Sequence, residues 1–165
     1  MVNAEYWISH LGLKPHPEGG FYNEIFRSSV KIPKEELPIG YKSSRRVATS
    51  IYFLLRSGDI SRLHRLRSDE IWYYHTGGPV KIVYIDKEGH KHKKFLGCNI
   101  EKAEEPCILI SAGNIFAAEP VEQDSYCLMS CVVAPGFEFE DFEMFPKDEL
   151  MQSYPKLSDI IEKYG

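Results

Sequence analysis

The sequence from Phe21 to Val133 is a succession of short β-strand patterns separated by turn residues at near-regular intervals. β-Branched and aromatic residues fill the strand-like stretches, while glycine, proline, asparagine and aspartate occupy many of the intervals. The predicted strands cover residues 21–27, 47–55, 60–66, 71–74, 80–85, 91–96, 107–110, 115–118 and 125–133. Short strands at such spacing favour two antiparallel sheets arranged as a sandwich or a barrel, so we predict an all-β fold.

Helix patterns occur only near the two ends of the chain. Residues 2–11 have apolar positions at roughly helical spacing, with Asn3 as a candidate N-cap and Gly12 as the stop. A second short helix is predicted over residues 148–153. Residues 30–46 carry prolines, a glycine and several charges, and we predict an exposed excursion there. Because no repeat or linker interrupts the pattern, we expect a single domain over residues 1–165.

Charge and cysteine usage narrow the classes of partner and compartment. A net charge of −4 gives no reason to expect binding to nucleic acid or to an anionic membrane. No apolar run approaches 18 residues, so no membrane span is predicted. The four cysteines form no CxxC pair and no leader pattern precedes them, which favours free thiols and a cytoplasmic location. Aromatic residues make up 13% of the chain, which suits strands that wall a cavity for a small molecule.

One segment has a spacing that places chemical groups inside a sheet. Gly58 is followed by five residues and then His64, and Glu70 is followed by six residues and then the next glycine of the pattern, Gly77. Alternate residues of a strand point to one face, and a turn after residue 66 would bring Glu70 onto the neighbouring strand. The spacing therefore predicts that His64 and Glu70 face the same interior.

This segment resembles the first motif of the cupins, which reads glycine, five residues, His-x-His, three or four residues, glutamate, six residues and glycine. Leu66 stands at the position of the second histidine. The second cupin motif reads Pro-x-Gly, two residues and histidine. Ser111 and Gly113 match its spacing here, but Ser111 replaces the proline and Phe116 replaces the histidine.

The resemblance thus leaves two of the four usual metal ligands missing. A catalytic zinc or iron site normally takes three protein ligands, and only His64 and Glu70 stand at motif positions. We therefore expect no tightly bound metal and predict no other cofactor. A weakly bound divalent metal at His64 and Glu70 stays open.

Longer blocks sharpen the resemblance. Residues 13–22, 50–55, 64–72 and 133–142 are similar, in order, to the small single-domain cupin family of uncharacterised function, sometimes called the fifth cupin group. The match defines a core of roughly residues 11–154. It implies a cupin-type double-stranded β-helix, or jelly-roll barrel, with short terminal helices, a homodimer, and a pocket similar to those of sugar-nucleotide epimerases. It implies no particular reaction.

Three residues are candidates for catalysis by proton transfer. His64 titrates near neutrality and is the predicted base. Glu70 is expected to orient the His64 ring and to stabilise its protonated form. Tyr74 is the predicted acid, with Tyr52 as the alternative. The competing interpretation is a buried His64–Glu70 hydrogen bond that only fixes the fold.

Five further residues are predicted to contact a ligand. Trp72 and Tyr74 share strand parity with Glu70, and Arg62 shares that of His64, so Arg62 could meet an anionic group. Phe116 is expected to seal the floor of the pocket. The loop that holds Glu18 is either catalytic or a rigid turn. The ligand-binding set is Tyr52, Arg62, Trp72, Phe116 and Glu18.

These residues leave three functions open. The first is a metal-independent epimerase or isomerase acting on a sugar-like carbonyl compound by acid–base chemistry. The second is a non-catalytic protein that binds a small, carbohydrate-like molecule. The third, a metal-dependent cupin enzyme, is disfavoured by the ligand count. The sequence alone does not separate the first two.

Overall fold

The computed structural model describes residues 3–165, and two six-stranded sheets form its centre. In chain order the strands are β1 Lys14–Pro15, β2 Phe21–Arg27, β3 Lys31–Ile32, β4 Arg45–Arg46, β5 Thr49–Arg56, β6 Ser61–Leu66, β7 Asp69–Gly77, β8 Val80–Ile85, β9 Lys91–Leu96, β10 Glu104–Glu105, β11 Cys107–Ile110, β12 Ile115–Pro120, β13 Tyr126–Ala134 and β14 Phe142–Met144. The α-helices are α1 Ala4–His10, α2 Lys147–Ser153 and α3 Ser158–Tyr164. Short 3₁₀ turns occur at Lys34–Glu36, Ile100–Lys102, Phe139–Asp141 and Pro155–Leu157.

The order of the strands within the two sheets is that of a jelly roll. The first sheet has the order β1-β2-β5-β13-β7-β11, and the second has the order β10-β9-β8-β12-β6-β14. Strands β5 to β8 alternate between the two sheets, as do β11 to β13, which is the winding of a double-stranded β-helix. The predicted all-β fold with short terminal helices is confirmed. The sheets do not close into one continuous barrel, and the short β9–β10 pair is parallel.

Three apolar layers hold these elements together. The largest lies between the sheets and includes Phe53, Trp72, Phe116 and Met129. A second layer packs the outer face of the second sheet against α2 and α3, and a third packs α1 against the outer face of the first sheet. Because the helices cover only outer faces, the space between the sheets is left for side chains and for a cavity.

Most element bounds agree with the sequence prediction. The strands over residues 21–27, 80–85, 91–96 and 107–110 have the predicted limits. The Asn3 side chain accepts a hydrogen bond from the Tyr6 N–H at 2.9 Å, so it caps α1 as predicted. The predicted helix start at Val2 lies outside the described residues. Helix α3 was missed because seven residues give only two turns of helical periodicity.

The predicted exposed excursion, residues 30–46, is attached to the core at its C-terminal end. Its residues form the small β3–β4 ribbon, and Arg45 in β4 is fully buried. Arg45 Nη2 donates to Asp141 Oδ1 at 2.9 Å, and both side chains are almost completely removed from solvent. This buried pair ties the excursion to the segment that precedes β14.

Candidate functional site

A cavity of about 250 Å³ opens between the two sheets. This volume lies just below the range of about 300–1,000 Å³ that is usual for small-molecule sites, so it suits a small ligand. Aromatic rings form much of its wall, and polar groups meet at its floor. The floor groups are His16, Glu18, His64, Glu70 and Cys131.

His64 is held with one nitrogen available as an acceptor. Its Nδ1 lies 2.7 Å from the carbonyl oxygen of Arg62, which can only accept, so Nδ1 carries the proton. Its Nε2 lies 3.2 Å from Glu18 Oε2. Burial lowers the pKa of His64, although the Arg62 carbonyl and the Glu70 charge oppose this effect. The ring is therefore neutral at neutral pH.

Glu18 is the partner of the His64 ring. Its Oε1 accepts from the Ser61 hydroxyl at 2.8 Å, and its Oε2 faces His64. Burial raises the pKa of Glu18, against the opposing effects of His16, Ser61 and Arg62. When the Glu18 carboxyl carries a proton, it can donate that proton to Nε2 of a neutral His64, and the 3.2 Å distance allows the two residues to share it.

A glycine turn carries Glu18 into the interior. Gly19 has φ +119°, and a Cβ there would lie 2.0 Å from the carbonyl oxygen of Ile60. Only glycine permits this approach of two backbones. The Arg62 N–H then donates to the Glu18 carbonyl at 2.9 Å, which fixes the loop on β6.

Glu70 lines the cavity, and one of its two carboxyl oxygens has no hydrogen-bond partner. It is 7% exposed, and its Oε2 is buried and makes no hydrogen bond. Burial raises the pKa of Glu70 to about 7, and the Glu18 charge adds to this while His64 opposes it. The buried Trp72 Nε1 also lacks a hydrogen-bond partner. Its N–H lies close enough to lower the pKa of Glu70 as a lesser effect, yet the two groups do not reach hydrogen-bond geometry.

The structure brings five of the predicted site residues together. Glu18, His64, Glu70 and Trp72 all line the cavity. Phe116 packs behind them, with its ring centroid 4.1 Å from that of His64. Phe116 is not among the lining residues, so its predicted role as the seal of the pocket floor stays a prediction.

Three predicted residues lie elsewhere. Tyr52 is on the outer face of the first sheet, packed in the layer under α1. Tyr74 points between the sheets but lies beyond Trp72, and its hydroxyl donates to the Gly77 carbonyl at 2.5 Å. Arg62 is at the exposed start of β6, where its Nη2 donates to the Pro17 carbonyl at 2.8 Å. Strand parity gave the face for Tyr74, which packs against the apolar layer between the sheets, but not its position along the cavity.

The predicted partner of the His64 ring also needs correction. The Arg62 carbonyl makes the hydrogen bond that holds the ring, Glu18 Oε2 lies 3.2 Å from its Nε2, and no hydrogen bond to Glu70 occurs among the described residues. His16 was not predicted, although it lies in the same loop as Glu18. Its Nδ1 accepts from the Glu18 N–H at 3.3 Å, and burial lowers its pKa. The only sequence signal for His16 was its position two residues before Glu18 in the same loop.

Metal binding does not fit this set of side chains. Within residues 3–165, no group of three or more His, Cys, Asp or Glu is arranged to hold a metal ion. Leu66 lines the cavity at one ligand position of the resemblance, and Phe116 fills another. The expectation of no tight metal stays a prediction, which elemental analysis of the purified protein would check. One stoichiometric transition metal per chain, lost on His64→Ala, would contradict it.

Two other expectations concern the chain as a whole. Among the described helices, none has the length and apolar character needed to cross a membrane. All four cysteines are free, with Cys98 and Cys107 exposed and Cys127 and Cys131 buried.

Several known proteins are similar to this chain over most of its length. The family described as Cupin superfamily (DUF985) matches residues 5–145. An uncharacterised protein of Saccharomyces cerevisiae is 31% identical over 156 residues, which cover 87% of this chain and 76% of that protein. A hypothetical protein from Leishmania major superposes with a TM-score of 0.90 at 35% identity over 99% of both chains. A Shewanella oneidensis protein gives 0.88 at 38% identity over 100% of this chain and 98% of its own.

A more distant likeness concerns the fold alone. Oxalate decarboxylase from Bacillus subtilis superposes with a TM-score of 0.56 at 17% identity, over 92% of this chain and 36% of that enzyme. Together with the full-length matches and the jelly-roll strand order, this settles the fold. The chain belongs to the DUF985 family of the cupin superfamily.

Proposed function

We propose that the cavity binds a small polar carbonyl compound and moves a proton on it without a metal. The observation that carries this proposal is the unpartnered pair at the floor, Glu70 Oε2 and the Trp72 N–H. A buried polar group without a hydrogen bond costs about 1–3 kcal/mol. A ligand that reached both groups would supply the missing partners.

The residues at the floor divide the chemistry between them. Glu70, with a pKa of about 7, is half ionised at neutral pH and can act as the base. It would take the proton from the carbon beside a carbonyl, and the C–H electron pair would form the new C=C bond. The carbonyl oxygen would then receive the proton shared by Glu18 and His64. Glu70 would then return its proton to the former carbonyl carbon, while the neighbouring hydroxyl gives its proton back to Glu18 and His64, which yields an isomer with no net redox change.

This division differs from the roles expected from the sequence. The sequence predicts His64 as the base, Glu70 as the residue that orients the His64 ring, and Tyr74 or Tyr52 as the acid. The free oxygen of Glu70 and the contact between His64 and Glu18 favour Glu70 as the base and the Glu18–His64 pair as the acid.

Non-catalytic binding is the second candidate function. The observation that favours it is the close contact between Glu18 Oε2 and His64 Nε2, at 3.2 Å, because a proton held between these two residues is not free to reach a ligand. A carbohydrate-like ligand fits either function, because its hydroxyl groups can donate to Glu70 and accept from Trp72.

We further propose a cytoplasmic location for the protein, in keeping with its four free thiols.

Solvent-deuterium incorporation distinguishes the two functions. Mass spectrometry of small hydroxy-carbonyl compounds incubated in D₂O should show exchange beside the carbonyl with the unmodified protein. Glu70→Gln should reduce that exchange by about a hundredfold or more, because general acid–base groups contribute about 10²–10⁴ in rate. Tyr74→Phe is the control, because Tyr74 lies outside the cavity lining, and it should retain exchange. Exchange that survives Glu70→Gln would refute the assignment. Binding without exchange would favour the non-catalytic function.

A further inference from the structure

The charges around the cavity select among small polar ligands. The lining residues that are at least nine-tenths buried include two carboxyl groups, Glu18 and Glu70, and the described part of the chain places no lysine or arginine among them. His16 and His64 also lie at the floor, and burial lowers the pKa of both. The buried end of the cavity therefore contains groups that become negative on ionisation and no permanent positive charge. An anionic ligand group would be repelled there.

The two cations near the mouth do not change this balance. Arg27 is paired with Glu24 at 2.8 Å and with Glu138 at 2.6 Å, so its charge is already matched. Lys14 lies over the Tyr22 ring, 5.3 Å from its centroid, at the exposed rim. Neither is a buried anchor for a carboxylate or a phosphate.

Aromatic rings form the wall above the floor. Phe53 and Trp72 meet edge to face at 5.6 Å, and Phe139 and Phe142 do so at 6.2 Å. The rings that line the cavity are those of Tyr22, Phe53, Trp72, Phe137, Phe139 and Phe142. The faces of such rings attract ammonium groups, and the attraction grows when water is excluded.

Two unpartnered groups define what the ligand must present. Glu70 Oε2 needs a hydrogen-bond donor, and the Trp72 N–H needs an acceptor. We propose that the ligand carries a protonated amine next to a hydroxyl or carbonyl oxygen, with the amine on Glu70 and the oxygen on Trp72. This inference rests on the proposed ligand pocket in its binding function, in which Glu70 holds an ammonium group and does not take a proton from carbon, and it narrows the ligand to small amino-hydroxy or amino-carbonyl compounds.

The proposal fixes the sign of a pH dependence. An ammonium group binds best when Glu70 is ionised, so affinity should rise as pH increases through the Glu70 pKa of about 7. The other titratable groups that face Glu70 are Glu18, His16, His64 and Cys131. Burial raises the pKa values of Glu18 and Cys131 and lowers those of His16 and His64, and Glu70 is the group whose pKa lies at about 7. A carboxylate ligand would give the opposite sign.

Serinol, glycerol and glycerate test the proposal, because they share a three-carbon frame but carry an amine, only hydroxyls, or a carboxylate. The readout is the indole N–H signal of Trp72 in ¹⁵N-labelled protein, assigned by comparison with Trp7→Phe, since the chain has two tryptophans. One unit above the pKa of Glu70, serinol should bind at least about tenfold more tightly than glycerol, a difference of ~1.4 kcal/mol. Its affinity should fall one unit below that pKa.

Two variants test whether Glu70 causes the preference for serinol over glycerol. Glu70→Gln should remove the preference for serinol and its pH dependence while glycerol binding stays within about twofold. Glu143→Gln removes the same charge from an exposed residue outside the cavity lining and should leave every affinity unchanged. Equal binding of serinol and glycerol would overturn the amine but retain the pocket. Tighter binding of glycerate would also overturn it. No shift of Trp72 with any probe would contradict the ligand pocket itself.

Discussion

Glu70 combines burial, a free oxygen atom and a neighbouring buried carboxyl. Desolvation disfavours its charged form, and Glu18 nearby adds to that effect, so its pKa rises to about 7. Structural carboxyls in a core normally have their oxygens satisfied. A carboxyl kept half ionised at neutral pH beside a cavity is instead suited to exchange protons with a ligand.

The raised pKa of Glu70 has a consequence for stability. The folded protein holds this proton more tightly than the unfolded chain, whose Glu70 pKa is near 4.5, so stability should fall as pH rises from about 4.5 to about 7. Glu70→Gln removes the charge and should stabilise the protein by on the order of 3 kcal/mol above pH 7. The gain should vanish near pH 4. Urea unfolding at several pH values measures it, and a pH-independent effect would contradict the raised pKa.

Single positions differ in how well the sequence predicts them. The cupin spacing placed His64 and Glu70 in one interior because strand parity and a tight turn are local properties. The pairing of His64 with Glu18 depends on a loop about 45 residues away along the chain, which parity does not describe. Tyr74 shows the same limit, because its face was correct while its depth in the cavity depends on the packing of Trp72.

The loop over residues 16–20 is the element that completes the site. Gly19 and Gly58 both have positive φ, at +119° and +86°. A Cβ at Gly19 would meet the Ile60 carbonyl, whereas a Cβ at Gly58 would meet no atom within 4 Å. Alanine at Gly58 would therefore introduce backbone strain alone, whereas alanine at Gly19 would introduce both backbone strain and a steric clash.

Alanine at these glycines should have unequal effects. Gly58→Ala should cost about 1–2 kcal/mol of stability from backbone strain alone. Gly19→Ala should cost at least about 2 kcal/mol more, because the loop must move away from β6. Thermal unfolding of both variants measures the difference. Equal losses would show that the close approach of residues 19 and 60 is unimportant.

Secondary structure was predictable where patterns were long. Strands such as Val80–Ile85 and Lys91–Leu96 have strong β residues bounded by turn signals, and their limits were correct. The two-residue strands at Lys31–Ile32 and Arg45–Arg46 carry no such pattern. Their formation depends on the buried pairing of Arg45 with Asp141, which lies far along the chain.

The whole molecule is a jelly roll with covered outer faces and open edges. The terminal strands of its sheets include β11 in the first and β14 in the second. Apolar side chains near β2 are exposed, with Phe26 at 53% and Val30 at 60%. The alternation of short strands predicted the class of fold, while the number of strands per sheet required long-range pairing information.

The oligomeric state of the protein stays a prediction. We expect a homodimer, because sheet edges and exposed apolar residues are commonly covered by a second copy. Light scattering at micromolar concentration should give twice the chain mass of 19.0 kDa. Phe26→Asp, at an exposed position outside the cavity lining, should weaken a dimer that uses this surface. A mass of one chain at all concentrations would contradict the expectation.

The ionisation of Glu70 is the most direct test of the central claim that the cavity floor holds a chemically available carboxyl. The ¹³C signal of its side-chain carboxyl can be followed by NMR as pH is varied, and Glu70→Gln assigns it. The predicted midpoint is about 7, with no ligand present. A midpoint near the ordinary value of 4.5 would show that Glu70 is solvated or paired, and would contradict the proposed role.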